Sequence, residues 1–186
     1  NRLAADSYRL ILVTAHRREN FGKPIENICF ALREIARRNK DVEIVYPVHL
    51  NPNVQKVVYK ILSQQERIRL IPPVEYRELV HLLNASYLVL TDSGGIQEEA
   101  PALGKPVLVL RSETERPEGI EANVAKLVGT DMGIIVREAE LLLNDEAEYS
   151  RMAKAINPYG DGRAAKRIAS VLRMGNIADD LVMKGQ

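Results

Sequence analysis

The stretch YLVLTDSGGIQEEAPALGKPVLVL, residues 87–110, decides the reading of the fold. Its opening residues 87–91 (YLVLT) make a continuous apolar run of strand length. Asp92-Ser93-Gly94-Gly95 follows, and a helix opens there. Gly104-Lys105-Pro106 ends that helix, and VLVL (107–110) is the next strand. Two strands that are apolar on both faces, joined through a helix by short connections, describe a parallel βαβ unit.

The same alternation runs outward in both directions. RLILVT (9–14) reads as a buried strand. From Pro24, apolar residues recur at Ile25, Ile28, Cys29, Leu32, Ile35 and Ala36, which is one helical face. VEIVYPV (42–48) is the second strand. Asn51 then supplies an N-cap with Pro52 at the first helical position, and Val54, Val57, Val58, Ile61 and Leu62 continue the helix. IRLI (68–71) is a third short strand closed by Pro72-Pro73, and the next helix carries Leu79, Val80, Leu82 and Leu83. Residues 124–128 make a sixth strand, and after Asp131 helices are expected near 132–144, 146–155 and 162–174. The expected class is α/β, a three-layer Rossmann-like parallel sheet covered on both faces. Residues 1–175 are read as one domain and 176–186 as a weakly patterned tail.

Composition narrows the function. Apolar residues make up 46% of the 186 and charged residues 27%, within the range of a globular domain with its own core. Twenty-six basic against 25 acidic residues leave a net charge of +1, which is no footprint for nucleic acid or a membrane surface. No apolar run reaches the length of a membrane span. The single cysteine, Cys29, lies on an apolar helix face and reads as core, which fits a reducing cytoplasm. A start at Asn1 rather than Met, with a strand almost at once, leads us to expect a piece of a longer protein. No Gly-x-Gly-x-x-Gly follows a strand and no P-loop is present, which argues against nicotinamide or nucleoside-triphosphatase chemistry. No cluster has metal-ligand spacing, so neither a metal nor a cofactor is expected.

In an open α/β sheet, ligands gather at the carboxyl ends of the strands, where the strand order reverses. Three polar clusters fall at such ends: His16-Arg17-Arg18-Glu19-Asn20, Asp92 to Glu99, and Arg111 to Glu118. Ser93, Gly94 and Gly95 allow close approach of backbone N–H groups to an anion at a helix start. Glu99 follows about one turn later, where a carboxylate can accept both hydroxyls of a ribose. The competing reading is a capped turn followed by solvated acids. His16 is a proton donor, a phosphate ligand or a capping residue. Arg17, Arg18 and Arg116 either neutralise a diphosphate or pair with Glu19, Glu115 and Glu118. His49 sits at a similar rim, while His81 reads as helix surface.

TAHRREN (14–20), PVHLNPNV (47–54), TDSGGIQEEAPALGKPVLVLR (91–111), TERPEG (114–119), LVGTD (127–131) and NPYGDG (157–162) together resemble the non-hydrolysing UDP-N-acetylglucosamine 2-epimerases, with order and spacing matched from about residue 8 to 174. The resemblance implies the C-terminal, nucleotide-sugar-binding half of a two-domain GT-B fold. It implies interconversion of UDP-N-acetylglucosamine and UDP-N-acetylmannosamine, through elimination of UDP and its re-addition. His16 matches the family's active-site histidine, Ser93, Gly94 and Gly95 its diphosphate loop, Glu99 its ribose-binding glutamate and Arg116 its substrate-binding arginine. Val74 and Leu79 stand where residues border the uracil, at positions where other members carry Gln and Phe. His49 matches a position associated with an effector UDP-N-acetylglucosamine. The family's carboxylate acid/base residues belong to an N-terminal domain that these residues do not include. A homodimer at full length, a cytoplasmic location and a role in surface-polysaccharide synthesis are further expectations of the resemblance. The alternatives are a GT-B glycosyltransferase domain, a hydrolysing epimerase, and a nucleotide-sugar binding module without catalysis.

Overall fold

The computed structural model describes residues 8–174. Among them six strands form one parallel sheet: β1 (Arg9–Thr14), β2 (Val42–Pro47), β3 (Ile68–Ile71), β4 (Leu88–Thr91), β5 (Val107–Val109) and β6 (Ala125–Leu127). Their order across the sheet is β3-β2-β1-β4-β5-β6, the doubly wound order expected from the alternating pattern. The helices are α1 (Lys23–Arg38), α2 (Pro52–Leu62), α3 (Tyr76–Ala85), α4 (Gly94–Ala102), α5 (Pro117–Glu121), α6 (Met132–Asn144), α7 (Glu146–Ala153) and α8 (Ala164–Met174). The proposed tail at 176–186 lies outside the described residues.

Successive strand residues face opposite sides, so each strand feeds two cores. Ile11 and Val13 of β1 join Leu88, Leu90 and Leu108 in the larger core, under Ile28, Leu32, Val58, Ile135 and Leu142 from α1, α2 and α6. Leu12, Val89, Val107 and Val109 point the other way, onto Leu83 of α3 and Ile96 and Ala100 of α4. Every residue in both sets is nearly or fully buried, which is why the strands read as unbroken apolar runs. Cys29 is fully buried in the larger core, and burial pushes its thiol up to about 12.

The helix starts follow from local chemistry. Asn51 accepts from Asn53 N at 2.9 Å and caps α2, and Asp131 accepts from Ile134 N at 2.9 Å and caps α6. The strands are shorter than the apolar runs. Val48, Leu110 and Val128 fall just past β2, β5 and β6, yet each still donates one backbone hydrogen bond, to Ile71, Thr91 and Val109 respectively. The helices expected at 146–155 and 162–174 run Glu146–Ala153 and Ala164–Met174. Helix α5 was not expected. Its five residues are too few to show a period, and Pro117 at its first turn is its clearest sequence mark.

Gly104 ends α4 as read from the sequence. Its φ of +66° lies in the left-handed region, and a Cβ there would sit 3.3 Å from the Ala153 carbonyl oxygen. Gly104→Ala is expected to lower stability by roughly 1–2 kcal/mol, the cost of a side chain in that conformation. Urea unfolding of the two proteins measures it, and an unchanged midpoint would show that this turn imposes no constraint.

Candidate functional site

The site begins at the carboxyl ends of β1 and β4, which lie side by side. Thr14 and Thr91 share a hydroxyl hydrogen bond of 2.6 Å there, and Asp92 N donates to Thr14 O at 3.0 Å. Asp92 is completely buried. Its Oδ2 accepts from the backbone N–H of His16 and of Arg17, both at 2.7 Å, and from Asn20 Nδ2 at 3.0 Å. Asn20, itself buried, also donates to Leu110 O at 3.1 Å, just beyond β5. One carboxylate and one amide thus bind three loop segments to each other. The three donors on Oδ2 offset part of the cost of burying this carboxylate.

The turn after Asp92 has the form of an anion cradle. Ser93 N is held by Thr91 Oγ1 at 2.9 Å, while the Ser93 side chain makes no capping bond. The first N–H groups of α4 have no partner within the helix and carry its positive dipole end. Two arginines converge on the same spot. A methyl group on Gly94 would lie 3.6 Å from Arg17 Nη2 and 4.0 Å from Arg116 Nη2. A methyl on Gly95 would lie 3.7 Å from Glu99 Oε1, so the carboxylate sits one turn beyond the cradle, as the spacing predicts. Tyr76 of α3 hydrogen-bonds Glu99, which holds the phenol above its usual pKa.

His16 borders the cradle on the β1 side. Its ring stacks on that of His49, with centroids 5.2 Å apart and planes 9° from parallel. Both line a cleft of about 520 Å³ with Arg17, Arg18, Glu19, Phe21 and Asn51. His49 Nδ1 accepts from Asn51 N at 3.0 Å, which fixes that ring at the start of α2. Burial pushes the His16 imidazole below its usual pKa; Asp92 opposes this, and His49 and Arg17 add to it.

Arg116 is reached from the other side. Thr114 Oγ1 donates to the buried Gln97 Oε1 at 2.6 Å and accepts from Arg116 N at 3.1 Å, so α4 itself positions the arginine. The pairing of charges differs from the sequence alternative. Arg116 pairs with Glu98, and Glu19 and Glu115 both go to Arg111. Among the described residues Arg17 has no ion-pair partner within 4 Å, and Arg18 is exposed. Arg111 is only 7% exposed and its guanidinium clamps the 16–20 and 111–116 segments together. Adjacent apolar strands had hidden that role, because Arg111 follows VLVL as one more rim residue.

The two uracil candidates lie on the segment from β3 to α3. Val74 is half-buried between β3 and α3, and Leu79 packs against the core that holds Leu83 and Ile96. His81 is exposed. Among the described residues no group of three or more His, Cys, Asp and Glu side chains is arranged to hold a metal. No described helix is long and apolar enough to cross a membrane.

A family model for UDP-N-acetylglucosamine 2-epimerase matches residues 2–173. The chain belongs to this epimerase family. It is 56% identical over 170 residues to the UDP-N-acetylglucosamine 2-epimerase of Campylobacter jejuni, covering 91% of this chain and 44% of that protein. The crystal structure of the Neisseria meningitidis UDP-GlcNAc 2-epimerase bound to UDP-GlcNAc superposes with a TM-score of 0.87 at 46% identity, over 92% of this chain and 46% of that one. The fold alone is shared with the C-terminal domain of a glycosyl transferase group 1 family protein from Francisella tularensis, at TM-score 0.65 and 17% identity over 91% of this chain and 87% of that one. The architecture is therefore one half of a GT-B fold, as the resemblance implied. The chain spans about half the length of the curated relatives it matches.

The Arg111 clamp gives a direct test of how this epimerase-family site is held. Arg111→Met keeps the stem and removes the charge-assisted bonds to Glu19 and Glu115. Loss of such bonds is expected to cost roughly 1.5–3 kcal/mol. Thermal unfolding reads the total, and amide exchange should speed up at 16–20 and 111–116 together. Faster exchange in only one segment would mean that the guanidinium does not join them.

Proposed function

We propose that the chain is the UDP-holding half of a UDP-N-acetylglucosamine 2-epimerase, an isomerase that interconverts UDP-N-acetylglucosamine and UDP-N-acetylmannosamine. One observation carries the reading: Arg17 and Arg116 converge on Gly94 at the start of α4, with the Glu99 carboxylate one turn further on. Cationic groups and unpaired N–H donors at one point suit a diphosphate. A carboxylate a turn away suits a ribose. The solved Neisseria meningitidis relative, with UDP-GlcNAc bound, supports that ligand class for this chain.

Each residue then has a physical task. Breaking the C1–O bond leaves negative charge on the departing diphosphate. The N–H groups of Gly94 and Gly95, the hydroxyl of Ser93, and Arg17, Arg116 and His16 stabilise that charge, and their prior arrangement means that little reorganisation is needed during the reaction. For Arg116 this requires loosening of its pair with Glu98, so the arginine moves from one anion to another as ligand enters. Val74 and Leu79 are assigned to the uracil end, with contact from Leu79 restricted by its packing. His49, stacked on His16 across the same cleft, is the candidate effector contact.

Abstraction of the C2 proton needs a base above the sugar. The family resemblance implies that this base belongs to the N-terminal domain of the full-length protein, and the engagement of Glu98, Glu115 and Glu19 with arginines is consistent with that assignment. Closure of the two halves would exclude water and complete the set of catalytic groups. The same reading makes the full-length protein a cytoplasmic homodimer that supplies a precursor for surface polysaccharide.

Two measurements test this. Glu99→Ala should weaken UDP binding about ten- to hundredfold in calorimetric titration, the equivalent of losing charge-assisted hydrogen bonds. Unchanged affinity would return Glu99 to the role of a solvated helix acid. NMR of UDP-N-acetylglucosamine with the 186-residue chain should show no conversion, and the full-length protein should form UDP-N-acetylmannosamine. Conversion by the chain alone would contradict the two-half account, and no conversion by the full-length protein would contradict the epimerase reading.

A further inference from the structure

Asp92 is more than a structural hub. Its Oδ2 takes three donors, yet its Oδ1 is buried and has no hydrogen-bond partner. A buried carboxylate oxygen left without a donor is unfavourable, and a structure keeps one where something comes to meet it. The nearest candidate is the ring of His16, whose Nδ1 lies 3.6 Å away. That is just beyond hydrogen-bond length. Catalytic hydrogen bonds are commonly long before ligand binds and tighten afterwards. The backbone of His16 is already fixed to the other oxygen of the same carboxylate, so a small turn of the ring is enough to close the gap.

We propose that Asp92 is the positioning residue of His16: Oδ1 accepts a hydrogen bond from Nδ1–H, which fixes the ring and turns Nε2 toward the diphosphate, to which it donates once the ring is protonated. Its catalytic consequence rests on the role proposed above for His16. The stacked His49 ring limits the other rotations open to His16, so the carboxylate and the stack together define one ring orientation. The partner acts through orientation and charge without itself touching the substrate. The negative carboxylate favours the imidazolium that this donation needs, against the burial that holds the His16 pKa below its usual value. Asp92 links two duties in one side chain, since Oδ2 builds the loop and Oδ1 orients the ring at its end.

Asp92→Asn separates the two. Its amide oxygen can still accept the His16, Arg17 and Asn20 donors, which retains the loop. The amide nitrogen then stands at the place of Oδ1 and donates to Nδ1, which inverts the tautomer. Two-bond proton–nitrogen NMR of the imidazoles, assigned with His16→Gln, reads the tautomer directly in the 186-residue chain, which carries its own two-sided core. In the unmodified chain the neutral His16 ring should be the Nδ1–H form, and in Asp92→Asn the Nε2–H form. In the full-length protein the same change removes the negative charge that favours the imidazolium, and should lower kcat about a hundredfold or more with KM within a few-fold. An Nε2–H ring in the unmodified chain, the same tautomer in both proteins, or an unchanged kcat would each overturn the proposal. If Asp92→Asn does not fold, the unmodified spectrum still decides, since only the Nδ1–H form agrees with it. The tautomer is read without substrate, so failure of the epimerase reading would appear separately, as absence of turnover in the unmodified full-length protein.

Discussion

The buried carboxylate of Asp92 is the constraint on which the site depends. It stands where the sheet reverses direction, between the carboxyl ends of β1 and β4. Any chain that puts an acid there must bring donors to it, and the HRREN segment brings three. That demand pulls the loop after β1 over the start of α4. It thereby sets Arg17 above Gly94 and His16 at the mouth of the cleft. Asn20 extends the arrangement to β5 through the Leu110 carbonyl. The backbone of His16 and Arg17 is therefore held from the protein side by the carboxylate.

The charges around the crevice are sorted by burial. Arg111 is nearly buried and takes two carboxylates, so it is a fastening. The Arg111 guanidinium in turn holds Glu115 down at about 2, which keeps the clamp charged across the physiological range. Arg116 is more exposed and, among the described residues, has one carboxylate partner, Glu98 of α4. An exposed pair is weak and easily exchanged for a diphosphate oxygen. Arg17 is already free of ion pairs among the described residues. The crevice thus combines one fixed cation, one exchangeable cation and one available cation around a helix start.

Much of this was legible in the sequence, for physical reasons that differ by residue. The sheet order follows from strands that are apolar on both faces, because only a parallel sheet with two helical layers buries such runs. The placement of Ser93, Gly94 and Gly95 at a helix start, with Glu99 one turn on, was legible because the glycines follow an apolar strand and the helical repeat fixes the next carboxylate. Arg111 and Asp92 were not. Each follows an apolar strand and looks like another rim residue, and its burial depends on contacts 72 to 92 positions away. The signal that existed for Asp92 was an acid directly after four fully buried residues, with a donor-rich segment after the adjacent strand. The pairing of Arg116 with Glu98 was missed because sequence proximity favoured Glu115 and Glu118. Helix α5 was missed because five residues cannot display a helical period.

In the proposed complex the diphosphate sits at the start of α4 and the ribose one turn along it. A crystal structure of the chain with UDP tests it most directly. Phosphate oxygens are expected within hydrogen-bond distance of the Gly94 and Gly95 N–H groups, with Arg116 turned from Glu98 toward the phosphate and the ribose hydroxyls on Glu99. UDP bound with its diphosphate away from Gly94, or with its ribose out of reach of Glu99, would contradict it.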